Sequence, residues 1–473
     1  MSVTPLSRIV VVSALVVGLL PQVSFGQESA DAYLAFLMAR RLEAEGNNDG
    51  ALASLERAAA ADPSAAEIYA EMAAFHMRQD QAGPAEQAAK KAIGLDPDSV
   101  GGNRALGLIY AERLDGAPGS DAGVQATALR DAIAHLERAI ANSPVTTDLL
   151  LHYTLGRLYV RNGEPEKGVA SLSRMLSQNP GSAQGRLALA EAYAAGGDLP
   201  NAISTLREVL ESEPRVAVAL GQYQEEAGLL AEAAESYTLA LSVQPRSREL
   251  KLRRIAVLID AKEYTRAAGF AADARRQHPD DPRFVRLHAR ALFDSGDEAG
   301  AIALLEQTVQ ASPVDTGMLF TLADVYADAG RGSDAEQLLR RIIGIEPSNA
   351  NALNYLGYLL AVRGSDLDEA IDLVQRALDQ DPDNGAYLDS LGWAYFRRGD
   401  LALAEKFLAA AAAQLPENSE IQDHLGDVFA GLGRLADAVT AWTRALDGDG
   451  EDVERAAIER KLTDARSRLQ DAR

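Results

Sequence analysis

The chain has 473 residues, more than one globular core usually supports, with 47% apolar and only 5% aromatic residues, so its interior is built from Ala, Leu and Val. Its formal net charge of −23 argues against a phosphate-backbone partner, and so against nucleic acid, and favours cationic partners. Cysteine is absent, which removes disulfides, thiolate metal sites, cysteine nucleophiles and lipid attachment through a lipobox cysteine.

In chain order, the first expected element is residues 1–26, a cleavable export signal. Arg8 gives a positive start, Ile9 to Leu20 is a 12-residue apolar stretch ended by Pro21, and Ser24 and Gly26 are small residues before a cut at Gln27. A membrane span needs about 20 apolar residues, and no later stretch offers them. The expected mature protein is soluble and exported, most simply to a bacterial periplasm.

From there a proline ladder runs through the chain. Pro63, Pro97, Pro144, Pro180, Pro214, Pro245, Pro279, Pro313, Pro347, Pro382 and Pro416 are separated by 34, 47, 36, 34, 31, 34, 34, 34, 35 and 34 residues. Such a period marks a repeat architecture. The spacing gives units one and two at 32–98 and units three to six at 100–246. The third carries an insertion near 113–125 and the sixth is three residues short. Units seven to twelve follow at 248–450, the seventh with a degenerate first helix near Lys251. Residues 451–473 are expected to form a capping helix, with Val453, Ala457, Ile458, Leu462, Ala465 and Leu469 on one stripe.

Within each unit the apolar spacing is i, i+1, i+4, then a break, then i, i+4, i+7, which predicts two helices joined by a short turn. In the eleventh unit the skeleton is Leu391-Gly392, Tyr395, Ala404, Leu408, Ala411, Pro416; in the tenth it is Leu356-Gly357, Leu360, Ala370, Val374, Ala377, Pro382. Glycine, as in Arg398-Gly399-Asp400, is expected to end the first helix in a left-handed conformation, and Asp400 to cap the second. The ladder proline is expected to begin the following helix. Gly392, inside an apolar run, is read as the point where two helices cross closely.

These positions of small, aromatic and proline residues resemble the tetratricopeptide repeat family. The resemblance implies an all-α fold, a right-handed superhelical α-solenoid of about twelve helix-turn-helix repeats. It also implies a groove lined by positions 2, 5, 9 and 12 of each unit. In the last three units positions 5 and 9 are Asn354 and Tyr358, Asp389 and Trp393, Asp423 and Asp427, with Arg397 and His424 nearby. Each pair is i, i+4 and shares one helical face. These eight residues are the candidate peptide- or protein-binding groove, and Trp393 is expected to face it. Residues 251–290 hold ten Lys/Arg against five Asp/Glu, and Arg253, Arg254, Arg286 and Arg290 are a candidate basic patch.

The stretches ALNYLGYLLAVRG, GAYLDSLGWAYFRRGD and IQDHLGDVFAGLGR are similar to the carboxy-terminal repeats of proteobacterial envelope proteins of this repeat family, among them lipoprotein adaptors of a periplasmic processing protease. Those lipoproteins carry a lipobox cysteine that this chain lacks. No HExxH, GxSxG or Walker motif occurs, and the six histidines form no His-x-x-x-His pair. The expectation is a non-enzymatic periplasmic scaffold or adaptor without cofactor or metal, binding proteins or peptides in envelope assembly or proteolysis. The alternative is a structural spacer or self-assembling scaffold with no discrete groove.

Overall fold

A computed structural model of the protein describes residues 29–116, 122–143, 148–448 and 453–471. The expected export signal lies outside the described residues, as do the centre of the insertion, Pro144 and the end of the twelfth unit. Among the described residues there are 25 α-helices, one 3-10 turn at Pro214–Val216 and no strand. The chain divides into two compact units between Ala227 and Gly228.

The first unit is a run of antiparallel pairs: α1 (Ser29–Ala44) with α2 (Asn48–Ala61), α3 (Ala66–Arg78) with α4 (Ala82–Leu95), and α5 (Val100–Gly116) with α6 (Ala122–Ala141). It continues with α7 (Leu149–Arg161) and α8 (Pro165–Gln178), α9 (Ala183–Ala195) and α10 (Leu199–Arg207), and ends in α11 (Ala217–Glu226). The second unit starts with α12 (Leu230–Val243), followed by α13 (Arg248–Asp260) with α14 (Tyr264–Gln277) and α15 (Pro282–Asp294) with α16 (Glu298–Ala311). Then come α17 (Thr316–Asp328) with α18 (Gly332–Ile345), α19 (Ala350–Arg363) with α20 (Leu367–Leu378), α21 (Gly385–Arg398) with α22 (Leu401–Gln414), and α23 (Ser419–Gly431) with α24 (Leu435–Asp447). A single helix, α25 (Arg455–Asp471), closes the series. The division falls inside the short sixth repeat, between α11, which has only 10 residues, and α12; α10, the second helix of the fifth repeat, has only 9.

The crossing inside a pair explains the glycine found there in α5, α7, α19, α21 and α23. A Cβ at Gly392 would sit 2.6 Å from Leu408 Cγ and 3.0 Å from the Leu408 backbone nitrogen, and one at Gly357 would sit 2.5 Å from Val374. Glycine lowers helix propensity by roughly 0.5–1 kcal/mol, but here it lets two backbones approach. Ala404 and Ala411 from α22 are fully buried on the other side. Gly399 ends α21 at φ 95°, in the left-handed region.

Two expectations about the connections are corrected. Among the described ladder prolines only Pro214 starts a helix, the 3-10 turn Pro214–Val216 that leads into α11; the others do not. Pro382 and Pro416 lie in the turns that follow the second helices, with two residues, Asp383-Asn384 and Glu417-Asn418, between each proline and the next helix. There, proline's missing N–H and its bias against helix in the preceding residue stop the second helix. The following helices are capped instead by Asn384 and Asn418, whose side chains accept backbone N–H groups. Nor does Asp400 cap α22, although Asp198 and Asp297 cap their helices at 3.2 and 2.9 Å. Asp400 is drawn back to Arg398, 2.7 Å from its Nε.

Three residues of the expected stripe face α24 from α25. Ile458, Leu462 and Ala465 are buried against Ala438, Trp442 and Ala445 of α24, and the opposite face is polar.

Candidate groove on the second unit

Along the second unit, the first helices of successive pairs, α15, α17, α19, α21 and α23, supply the side chains of one extended trench. Its larger part is a cleft of about 410 Å³, walled by Phe320, Tyr355, Tyr358 and Tyr387 and edged by Asp324, Asp389 and Glu420. Asn351 and Asn354 also line it. A smaller cleft of about 330 Å³ holds Arg286, Thr316, Thr321 and Asn349 and shares Phe320 and Asn351 with the first, so the two adjoin.

The tyrosines tie neighbouring helices across this face. Tyr355 donates to Asp324 at 3.2 Å, Tyr387 to Asn351 at 2.7 Å, and Tyr358 to Glu420 at 2.5 Å. The last bond joins α19 to α23 past the intervening α21. Burial first, and then the adjacent carboxylates, push the Tyr355 and Tyr358 hydroxyls well above the usual phenol range, so both remain donors. The amide oxygen of Asn354 is buried with no hydrogen-bond partner. Arg286 makes no hydrogen bond or ion pair among the described residues.

Of the eight groove residues named from sequence, Asn354, Tyr358 and Asp389 line the cleft. Trp393 does not. It is partly buried, its ring stacked 4.0 Å from His424 and 5.1 Å from Phe396, centroid to centroid. Its indole N–H has no partner. His424 is buried and bonds Asp389 at 2.9 Å. Burial, the largest influence, would lower the His424 pKa, but the carboxylates of Asp389, Glu420 and Asp423 together hold it above the ordinary value. Arg397 reaches back to the Val362 carbonyl at 2.6 Å, which pins it to the end of α19.

Asp423 and Asp427 are already occupied. Lys461 of α25 reaches them at 2.9 and 2.8 Å, so the cap helix fills the end of the trench. Burial raises the Asp427 pKa, opposed by Lys461.

The four arginines of the basic patch are not brought together. Arg254 lies over the Phe270 ring of α14, 3.6 Å from its centroid, inside its own pair. Arg253 approaches the Tyr237 hydroxyl at 3.5 Å. Arg290 is held by Asp294 at 2.8 Å, and Arg286 alone faces the trench.

Phe320, Asp324, Asn351 and Glu420 were not singled out from sequence. They stand at positions 5, 9, 2 and 2 of their units, so the rule that named Asn354 and Asp389 would have found them had it been carried to the ninth unit and to position 2. A larger cleft of about 990 Å³ lies in the first unit, lined by Tyr110, Val124 and Ala128 and bordering the insertion.

Tetratricopeptide repeat models match residues 36–113, 153–217 and 320–385, residues 189–344, and residues 361–428. Together these cover 36–113 and 153–428, more than half of the chain. The chain belongs to the tetratricopeptide repeat family. Proteins of this family serve as scaffolds that bind proteins or peptides, and each unit here is an α-solenoid of its helix pairs. A TPR repeat-containing protein of Pseudomonas aeruginosa is 34% identical over 178 residues, which is 37% of this TPR chain and 30% of that protein. Cellulose synthase operon protein C of Pseudomonas fluorescens is 24% identical over 436 residues, 82% of this chain and 33% of that protein. The TPR chain thus spans about a third of the length of these relatives. The crystal structure of yeast Tom70 aligns with a TM-score of 0.47 at 14% identity, covering 94% of this chain and 97% of that one. Among the described residues no helix is long and apolar enough to cross a membrane.

Proposed function

We propose that this TPR protein is a non-enzymatic, exported scaffold that holds an extended segment of a partner protein in the trench along α15 to α23. A periplasmic setting and a role in envelope assembly or proteolysis follow from the signal-like residues 1–26 and from the resemblance of the last three repeats. The observation that carries the reading is the trench itself: two adjoining clefts with aromatic walls, an unpaired Asn354 acceptor and an uncommitted Arg286. Aromatic and arginine side chains dominate interface hot spots, and a buried unpaired acceptor gains most from a ligand's N–H.

The test is site-specific photocrosslinking in periplasmic extract. A photoreactive phenylalanine analogue at Phe320 is expected to give discrete, saturable adducts. The same group at Ala402, on the exposed side of α22, is expected to give none. Equal labelling at both positions would reject the trench as a binding site. Export is tested by fractionation and by a mature N-terminus at Gln27.

A second reading, a self-assembling spacer, is favoured by one feature. Leu34, Leu37 and Met38 on α1 are exposed together, at 67, 40 and 45%. Light scattering on the wild type and on Leu34→Glu decides it: a dimer lost in the variant supports assembly through α1, and a monomer throughout removes it.

A further inference from the structure

The trench is electrically two-ended, and the charges are distributed in a way the repeat frame does not require. Its larger cleft contains the carboxylates of Asp324, Asp389 and Glu420 and no lysine or arginine. Asp389 is answered by His424. Asp324 and Glu420 each receive a tyrosine hydroxyl, and neither has an ion-pair partner among the described residues. A neutral O–H satisfies one lone pair and brings no charge, so these carboxylates are offset only at longer range, Asp324 by Arg290 and Glu420 by His424. The tyrosine faces around them suit a cation's apolar stem and its charged head. The neighbouring cleft is the reverse: Arg286 is there, with hydroxyls and amides and no carboxylate.

Resting on the groove reading above, we propose that the trench selects its partner by charge order. It takes an extended polypeptide segment with a lysine or arginine seated among Tyr355, Tyr358 and Tyr387, and an aspartate or glutamate placed on Arg286. A polypeptide fits better than a small ammonium compound because the two clefts run on across five helices and because Asn354 offers an acceptor suited to a backbone N–H. Four steps between first helices, at roughly 9 Å each, set an upper span of about ten extended residues at roughly 3.3 Å per residue. The chain's net charge of −23 adds long-range attraction for the basic element.

The experiment uses the purified full chain and a synthetic peptide array of that length. One Lys and one Asp are set at every separation, in both orders, on a neutral frame containing tyrosine. Peptides carrying both charges in one order are expected to bind, and replacement of Lys by Gln or of Asp by Asn to weaken binding about tenfold, the scale of one charge-assisted contact. Glu420→Gln is expected to abolish the preference for Lys while keeping that for Asp. Arg286→Gln is expected to do the opposite. Both side chains are partly or fully exposed, and thermal melts establish that each variant is folded. Charge-indifferent binding, equal binding of both orders, or preferences unchanged in the two variants would overturn charge selection while leaving the groove reading standing. Failure of every peptide to bind overturns it as well, and reaches the groove reading only if the Phe320 adducts are also absent.

Discussion

Pairs nine to twelve and pairs seven and eight use one frame and fill it differently. In the former, the seventh position of each first helix is Leu322, Leu356, Leu391 or Leu425, none more than 7% exposed. In the latter it is Arg254 and His288, whose Nε and Nδ1 are buried without a hydrogen-bond partner. Arg275 of α14 leaves a third such nitrogen, and its charge adds to burial in lowering the His288 pKa. A repeat packs only against its neighbours, so the defect stays local and the frame survives it. The difference is that polar residues on the trench face mostly find partners, whereas Arg254 and His288, at the seventh position, leave buried nitrogens unpaired.

The comparison can be broken or sharpened by four measurements. The largest effect is expected for Gly392→Val, which forces a Cβ into Leu408. It should destabilise the second unit by about 1–3 kcal/mol or more, seen as a lower denaturation midpoint. Next, His288→Leu restores the leucine of the regular pairs and removes an orphaned nitrogen. It should stabilise by about 1–2 kcal/mol in the same assay; destabilisation would mean that His288 has a partner the fold needs. Smaller still is Gly269→Ala in α14. A Cβ there meets nothing within 4 Å, so the expected gain is about 0.5–1 kcal/mol, opposite in sign to the substitution at Gly392.

The smallest effect is on the slope of stability with pH, where two histidines oppose each other. His424 is raised above the unfolded value of about 6.5, so its contribution is complete below that pH and is lost as pH rises through the folded pKa. The charges facing it are Asp389 on α21 and Glu420 and Asp423 on its own helix. His288 is depressed by burial and then by Arg275, so pair eight loses stability as pH falls from about 6.5 toward the folded pKa. His424→Gln should remove the alkaline loss and His288→Leu the acid loss, measured by denaturant unfolding across this range. Matching slopes in wild type and both variants would refute the assignment.

Much of this architecture was legible because it is local. The helical spacing of Leu391, Tyr395 and Leu408 and the glycines at crossings and turns report contacts within one pair, and the proline cadence marks the turn from one pair to the next. The trench was half legible. Residue spacing put Asn354, Tyr358 and Asp389 on the right face, but Trp393 turned aside to stack on His424. Arg253, Arg254 and Arg290 were dispersed, because adjacency in sequence places side chains on different faces of a helix.

The sequence by itself determined that helices form, that they pair, and where each pair turns, since a 34-residue period encodes nearest-neighbour packing. Only the tertiary structure decided which charges remain available. Lys461 quenches Asp423 from 38 residues away, Tyr358 spans 62 residues to Glu420, and Arg286 is left unanswered. A face can be read from periodicity along one helix, but a side chain's partner comes from another helix, and no period records which one arrives.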